Sequence, residues 1–580
     1  MKSYLEDLGI LLDGCYRRLA AAFVLFAASA AMDLLCMSVL PAFVLVALSP
    51  EGARLPPPWP ASALGHVSPL AFSAAVVALF LVRAGLMLVV GSRMAEVAES
   101  VRERVVRRLV SQLLAIPFEA AMRRAASGEI TAATHYSITF SLHVVMSLLR
   151  LGLDLLTAAA VLAFVARIEP QAVLAAAAVF AAVGFAYFTG IRATTARASR
   201  RVTELQADLN HQVTQALSSP REVRVYGLQG YFSGKIGDNL TATAAAQARL
   251  GAVYWFPRAL GELTLIALAI AYMILKSRSG AEAVLVISNL SVLAFAGLRL
   301  LPAFAQGMTN LGYLQSGRQV TRVLADKLRL APAPAALPDG AAEPAPPASS
   351  EPVGSLELKQ VSFRYEGVPT DALQDISFVL RQGQSAGVVG ASGAGKSTLG
   401  DLLLGLLVPT HGQILLNGRP AALSSERWWR LAGFVPQSPY IANDTLLRNI
   451  AYGIPDAQID LELARRALRL AQLEQVAERL PKGLDTLLGD QGLRLSGGQR
   501  QRVAIARALY RQRDFLVLDE ATSALDQETE REVIGSIEAL KGTITTFIIA
   551  HRLSTLQNCD FIIELHEGRI VDVRAPSSAA

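Results

Sequence analysis

The sequence predicts an α-helical membrane domain fused to an α/β domain. Hydrophobic residues make up 52% of the 580 residues, and the apolar runs of about 20 residues, long enough to cross a bilayer, lie in the first half. Beyond residue 355 short strand-like runs alternate with helical stretches, which favours a largely parallel sheet. Gly390–Thr398, with the pattern G-x-x-x-x-G-K-[ST], follows one of those runs.

The membrane domain is predicted to have six spans with long helical extensions between them. The extensions, 92–137 and 192–251, are rich in Ala, Arg, Glu, Gln and Leu with few breakers. Short contact elements are expected where Pro and Gly interrupt them, at Pro117–Glu129 and Ser218–Phe232. The predicted spans are 19–48, 68–91, 138–166, 171–191, 252–275 and 282–305.

Charge placement predicts that both termini lie inside. Arginines cluster before the first span and after the second and fourth, as the positive-inside rule requires of inner segments. Lys276 and Arg278, in a predicted outer loop, are an exception. We expect no cleavable signal, because the first apolar run is long and has no evident small-residue cleavage site. The net charge of +6 needs no nucleic-acid partner, and Cys15, Cys36 and Cys559 lack ligand spacing.

Composition predicts three regions along the chain. Residues 1–330 form the membrane domain, the Ala/Pro-rich residues 331–354 a linker, and residues 355–580 the α/β domain. The strand-like runs are Ser385–Gly390, Ile414–Leu416, Phe515–Leu518 and Thr546–Ala550.

The glycine loop Gly390–Thr398 has the strand–loop–helix context of a phosphate-binding loop. Its glycines let backbone N–H groups turn towards an anion, and the following helix adds its positive end. Lys396 is expected to reach the β- and γ-phosphates and Ser397 to ligate Mg²⁺. The predicted loop contacts are Gly390, Ser392, Gly393, Gly395, Lys396, Ser397 and Thr398.

Two adjacent acids end the apolar run Phe515–Leu518. Asp519 is placed to hold the Mg²⁺ shell, and Glu520 to orient or deprotonate the attacking water. A solvated pair at a strand end is the alternative, which the apolar run and the upstream loop disfavour.

Further motifs in fixed order make residues 356–572 resemble the nucleotide-binding domain of ATP-binding cassette (ABC) transporters. The resemblance implies that Tyr365 stacks on adenine, Gln437 senses Mg²⁺ and the membrane domain, and His551 contacts the γ-phosphate. Asp490 stands where exporters usually carry glutamate. The remaining matches are the cross-talk loop Thr486–Gly492, the signature Leu495–Gln499 and the dimer-contact loop Ser523–Asp526.

The signature implies a site shared between two chains. Ser496, Gly498 and Gln499 of one chain would close over ATP and Mg²⁺ held by the loop of the other, with a helix N-terminus aimed at the anion. Because one chain carries one complete set of motifs, we predict a homodimer. Intact Glu520 and His551 favour an ATP hydrolase coupled to transport over a regulatory ATPase that transports nothing.

Charged residues within the spans are the evidence on cargo, since such residues are costly and face a cavity or a partner. Arg150 and Asp154, and likewise Arg258 and Glu262, are four apart and could pair. Asp33 could pair with Arg83 or Arg299, which leaves one guanidinium to bind phosphate bidentately. We therefore assign substrate contact to Arg83, Arg299 and Asp33 as a hypothesis.

Segments in both halves are similar to bacterial lipid-linked oligosaccharide flippases, among them Gly297–Pro302 and Trp429–Gly453. This resemblance implies a half-transporter in the bacterial cytoplasmic membrane that flips a lipid-linked oligosaccharide or similar anionic lipid. A multidrug or peptide exporter is the alternative cargo class. A peptidase-coupled exporter is disfavoured, because no cysteine-protease domain precedes the first span.

Overall fold

A computed structural model describes most of the chain and divides it into two compact units. The helical unit is Met1–Ala115 with Ala125–Pro334, and the α/β unit is Ile116–Arg124 with Ala335–Ala580. The described residues are 2–48, 69–123, 126–278, 283–330, 352–421, 423–520, 527–550 and 552–575. Most of the predicted linker and the outer segment 49–68 lie outside them.

The helical unit consists of long helices with two π-helical turns, Ala132–Tyr136 and Phe140–Val145. Pro170 is the first residue of the helix Pro170–Ser218. A backbone N–H at this position would have no partner within the helix, so proline loses nothing there. The helices are α1 (Lys2–Leu12), α2 (Tyr16–Leu48), α3 (Pro69–Ala115), α5 (Ala126–Thr131), α6 (Ser137–Thr139), α7 (Met146–Ala166), α8 (Pro170–Ser218), α9 (Pro220–Val225), α10 (Gln229–Arg278) and α11 (Ala283–Leu330); α4 (Phe118–Met122) belongs to the α/β unit.

Five of the six predicted spans fall on helices long and apolar enough to cross a membrane. The fourth falls on a shorter apolar stretch of α8, Pro170–Ala186. Within the described residues the candidate spans are Tyr16–Val39, Leu70–Ala115, Gly128–Ala166, Arg258–Arg278 and Asn289–Arg329.

The predicted helical extensions are present. The helix α3 runs on to Ala115, α8 runs on to Ser218, and α10 begins at Gln229. The short helices α4 and α9 lie where Pro and Gly were expected to interrupt the pattern.

Small residues bring α10 and α11 close together. A Cβ added to Gly261 would lie 2.5 Å from Cδ1 of Leu301, and one added to Gly297 would lie 2.6 Å from Cδ2 of Leu265. Each glycine therefore receives a leucine of the facing helix, the small-residue contact that lets membrane helices approach.

The α/β unit holds two sheets. One has four strands in the order β2-β1-β4-β5, and the other six in the order β10-β9-β3-β8-β7-β6. The strands are β1 (Ser355–Phe363), β2 (Leu373–Arg381), β3 (Ser385–Gly390), β4 (His411–Leu416), β5 (Arg419–Pro420), β6 (Ala432–Val435), β7 (Phe515–Asp519), β8 (Thr545–Ile549), β9 (Phe561–His566) and β10 (Arg569–Arg574).

The larger sheet is parallel except at β10, as the alternation of strands and helices predicts. The run Ile414–Leu416 instead lies in β4, which pairs antiparallel with β1 and β5. The helices of the unit after β1 are α12 (Lys396–Leu403), α13 (Glu426–Trp429), α14 (Leu446–Ile450), α15 (Leu461–Leu470), α16 (Glu474–Arg479), α17 (Gly497–Tyr510) and α18 (Gln527–Glu538).

The strand order brings the predicted site residues to one edge. β3 is flanked by β8 and β9, and β7 lies beside β8. Parallel strands end at the same edge of a sheet, which is where open α/β sheets bind ligands. The glycine loop after β3 and Asp519 at the end of β7 therefore share that edge.

Candidate functional site

The loop between β3 and α12 has the backbone of an anion-binding turn. Gly393 and Gly395 adopt φ values of +82° and +99°, which glycine reaches without steric cost. Lys396 is buried, and its Nζ donates to the carbonyl oxygens of Gly390 at 2.8 Å and Ala391 at 3.0 Å. These two carbonyls accept two of the three ammonium protons.

The space outside this loop is open. A Cβ added to Gly393 would meet no atom within 4 Å, and Ser392 and Ser397 are exposed. The helix α12 begins at Lys396, so its N-terminus lies at this loop. A helix N-terminus, a buried ammonium and exposed hydroxyls fit the phosphates of a nucleotide and its Mg²⁺.

Tyr365, the aromatic residue predicted to stack on adenine, contacts α12, the helix that follows the glycine loop. Tyr365 is half-buried, and its hydroxyl lies 3.1 Å from Oγ1 of Thr398. Its ring also packs edge-on against Phe363, with the ring centroids 4.9 Å apart.

Glu520, the predicted catalytic acid, contacts Gln437. Nε2 of Gln437 donates to Oε2 of Glu520 at 2.6 Å. Glu520 follows Asp519 directly after β7 and has φ +45°, the left-handed region that non-glycine residues seldom adopt. Its N–H donates to the carbonyl of Ile549 at 2.8 Å, which helps to hold this backbone in place.

Sequence reasoning missed Asp401, which follows Ser397 by one helical turn on α12. Burial first, and then the negative charge of Asp519, raises the pKa of Asp401 to about 6. The spacing of four residues was the available signal, because it places both side chains on one helix face.

The raised pKa predicts how Asp401 affects stability. Since the folded-state pKa lies above the unfolded value, ionised Asp401 destabilises the fold above about pH 6, and this cost disappears as pH falls towards 4. Asp401→Asn should therefore raise stability by about 1–2 kcal/mol at pH 7.5, a value reduced for partial exposure. At pH 4.5 the gain should be small.

Thermal unfolding of the full chain without nucleotide or Mg²⁺, at both pH values, measures this difference. Asp572→Asn, at an exposed position on β10, is the matched control. An equal shift in Tm at the two pH values would contradict the assignment to ionised Asp401.

Two further contacts near the site were also missed. Nε2 of Gln501 donates to the carbonyls of Gln437 at 2.6 Å and Pro436 at 3.2 Å, which fixes the backbone at Gln437. Oε1 of Glu119 accepts the backbone N–H of Glu366, the residue after Tyr365, at 2.9 Å. That N–H, the largest influence, holds the pKa of Glu119 below its usual value. Sequence spacing gives no signal for either contact, because the partners are distant along the chain.

The signature residues form a capped helix start. Oγ of Ser496 accepts the N–H of Gln499 at 3.3 Å, and Oε1 of Gln499 accepts the N–H of Ser496 at 3.0 Å. This capping box stands at the N-terminus of α17. Ser496 is exposed and Gly498 is buried. His551 and the loop Ser523–Asp526, also predicted for this site, lie outside the described residues.

The helical unit brings together the three charged residues that the sequence suggests for substrate contact. Oδ1 of Asp33 lies 2.5 Å from Nε of Arg83 and 3.5 Å from Nε of Arg299. Asp33 is buried, and the guanidinium of Arg299 lies over the ring of Phe295 at 5.4 Å. One carboxylate therefore faces two guanidinium groups.

Of the two expected pairs within single spans, one is present. Nε of Arg258 lies 3.0 Å from Oε1 of Glu262. Arg150 and Asp154, whose spacing would allow a pair, form no ion pair in the part of the chain that the structure describes, although the charge of Arg150 acts on Asp154. Arg150 is exposed, whereas Asp154 lines a cavity between helices.

Comparison with known families decides the nature of the α/β unit. Residues 373–523 match the model of the family described as "ABC transporter". The chain carries an ABC transporter domain. Its matched residues contain the glycine loop, Gln437, the signature and the two acids.

Relatives of this chain carry one recurring name, ATP-dependent lipid A-core flippase. The Ralstonia nicotianae protein is 48% identical over 221 residues, which cover 38% of this chain and 37% of that protein. The Chromohalobacter salexigens protein is 35% identical over 386 residues, which cover 65% and 63%. The chain thus spans less than two thirds of the length of these relatives.

The fold extends the likeness to the whole chain. A solved structure titled as a bacterial Atm1-family ABC exporter with ATP bound matches with a TM-score of 0.75 and 22% identity, over 97% of this chain and 95% of that one. The chain has an ABC exporter fold, and its apolar helices make it a multi-pass membrane protein.

Proposed function

We propose that this protein uses ATP to flip or export an anionic amphiphile, such as a lipid-linked oligosaccharide, across the bacterial cytoplasmic membrane. The observation that carries the cargo class is the cluster of Asp33, Arg83 and Arg299. In the described part of the chain, Nε of Arg299 is buried without a hydrogen-bond partner. A buried guanidinium donor beside an already paired carboxylate suits a phosphate, which accepts two parallel hydrogen bonds.

The names of the relatives support the same class of cargo, since each is called an ATP-dependent lipid A-core flippase. Asp33 lies on α2, Arg83 on α3 and Arg299 on α11, and the carboxylate of Asp33 contacts the other two side chains. A headgroup bound to this cluster would therefore contact three spans at once. Both termini are proposed to lie in the cytoplasm, from the arginine clusters beside the spans.

ATP and Mg²⁺ fit the residues after β3 and β7. Lys396 and the loop N–H groups would hold the phosphates, and Ser397, Gln437 and Asp519 would face the metal. Mg²⁺ neutralises phosphate charge when it is bound. Glu520, held by Gln437, would orient the attacking water and accept its proton.

We propose a homodimer in which each nucleotide site uses both chains. Ser496 and Gly498 begin α17 with the positive end of a helix, which would face the γ-phosphate held by the partner's loop. Closure of two such sites would supply the motion for transport. Identical chains would give two competent sites.

The cargo proposal predicts that Arg299→Ala weakens stimulation of ATP hydrolysis by a phosphate-bearing glycolipid. A charge-assisted hydrogen bond contributes about 1.5–3 kcal/mol, so half-maximal stimulation should need roughly 10–100 times more lipid. Arg83→Ala should act in the same direction, with an added cost because Asp33 loses its closest partner. The measurement is ATPase activity in nanodiscs as the lipid is titrated.

Arg258→Ala is the matched control, because it removes an arginine from another span whose pair with Glu262 is exposed. A neutral glycolipid with the same acyl chains tests whether the phosphate is recognised. Equal stimulation of wild type and Arg299→Ala by the phosphate-bearing lipid would remove the main support for the proposal.

A further inference from the structure

A cavity of about 880 Å³ lies within the helical unit, between α7, α8, α10 and α11. Its walls are mainly Leu, Ala, Val and Phe side chains, among them Leu155, Ala176, Leu268 and Phe304. This size is typical of sites that enclose a drug-sized ligand. The cavity is separate from Asp33, Arg83 and Arg299, none of which lines it.

The charged residues of the cavity are Asp154, Glu169 and Lys276. Oε1 of Glu169 accepts hydrogen bonds from Nζ of Lys276 at 2.8 Å and from the hydroxyl of Tyr272 at 2.9 Å. Lys276, the exception to the positive-inside pattern, is thus paired with Glu169. Among the described residues of the lining, this leaves Asp154 as the charged residue without an ion pair.

Asp154 is one of several residues of the helical unit that carry a buried polar atom without a hydrogen-bond partner among the described residues. Its Oδ2 is buried and has no hydrogen-bond partner among the described residues. Acidic groups within spans are costly and normally pair with another residue or serve a ligand. Arg150, one turn earlier, is exposed and acts on Asp154 through its charge, but it forms neither a hydrogen bond nor an ion pair with it among the described residues, which favours the ligand interpretation.

The charged residues lie at two separate places along the cavity. Asp154 lies twelve residues before Ala166, the last residue of α7, which at 1.5 Å per residue is about 18 Å along the helix. Glu169 follows that helix end. An occupant can therefore place a polar head at Asp154, near the middle of the span, and an apolar chain along the walls towards Glu169 and Lys276.

We propose that this cavity binds an amphiphilic amine, with its ammonium on Asp154 and its alkyl chain along the apolar wall. The described residues of the lining carry one net negative charge, which complements a cation and disfavours a phosphate headgroup. An ammonium brings three donors to a carboxylate that lacks one. The site therefore differs in ligand charge from the arginine cluster, and it does not depend on the proposed cargo.

The experiment measures binding of radiolabelled dodecylamine to the full chain in nanodiscs without nucleotide, with empty nanodiscs subtracted. Dodecanol and dodecanoate have the same chain with a neutral or an anionic head. Wild type should bind dodecylamine at least tenfold more tightly than either. Asp154→Asn should remove that preference, while Asp154→Glu should retain most of it.

Two further variants separate charge from shape. Glu262→Gln makes the same acid-to-amide change on α10 outside the cavity lining, and should leave amine binding unchanged. Ala158→Phe fills the cavity one turn from Asp154 and should weaken binding of both amine and alcohol. The proposal is overturned if dodecanol or dodecanoate binds as tightly as dodecylamine, or if Asp154→Asn leaves amine affinity unchanged. Because no ATP is present, these outcomes are independent of the lipid-stimulated ATPase test.

Discussion

Glu520→Gln should lower the rate of ATP hydrolysis by about 10²–10⁴-fold while ATP still binds. The amide has nearly the same shape as the carboxylate, and its oxygen can still accept the hydrogen bond from Nε2 of Gln437. It cannot accept a proton from water. The loss should therefore appear in kcat, with little change in the affinity for nucleotide.

Steady-state ATPase activity of the full chain in nanodiscs, together with binding of a fluorescent ATP analogue, separates these two effects. Glu478→Gln, at an exposed position on α16, is the control for the same chemical change elsewhere in the unit. If Glu520→Gln kept more than about a tenth of wild-type kcat, Glu520 would not be the residue that accepts the proton.

Gly395→Ala should abolish nucleotide binding and destabilise the α/β unit, whereas Gly393→Ala should have a milder effect. Both glycines have positive φ, so both substitutions carry backbone strain of about 1 kcal/mol or more. At Gly395 the new Cβ would also lie 2.8 Å from the carbonyl oxygen of Ala372 and 2.8 Å from Cδ2 of Leu373. At Gly393 it would meet nothing within 4 Å.

The steric conflict at Gly395 involves backbone as well as a side chain, so it cannot be relieved by a change of rotamer. We expect a loss of about 2–4 kcal/mol at Gly395, against about 1 kcal/mol at Gly393. Thermal unfolding and ATP binding of the two variants, prepared side by side, give the comparison. Equal losses would show that backbone conformation alone determines the cost, and that the close approach of Ala372 does not matter.

The sequence predicts the conformation of the glycine loop well because its residues are contiguous and its backbone requirements are local. Glycine at positions of positive φ, a lysine at the start of a helix, and acids at a strand end can each be read without knowledge of distant partners. The contact between Gln437 and Glu520 is different, because it joins residues far apart in the chain. The capping box of Ser496 and Gln499 is again local.

Two features are left open by the sequence for a common physical reason. The strand Ile414–Leu416 is apolar in the same way as β3 or β7, but strand composition does not specify the direction of the neighbouring strands. The spacing of Arg150 and Asp154 permits a contact on one helix face, but it does not decide which way two side chains turn when a cavity lies beside one of them. In both cases tertiary surroundings determine the outcome.

The hydrogen bond from the N–H of Glu366 to Glu119 has a thermodynamic consequence. Glu119 lies on α4, the turn between α3 and α5, and Glu366 is the neighbour of Tyr365. If a ligand that binds the helices favours one position of α4, it changes the affinity for adenine nucleotide by some factor. Reciprocity then requires nucleotide to change the affinity for that ligand by the same factor. The side chain of Glu366 contributes as well, because its Oε2 lies 3.0 Å from Nη1 of Arg123, the residue that follows α4.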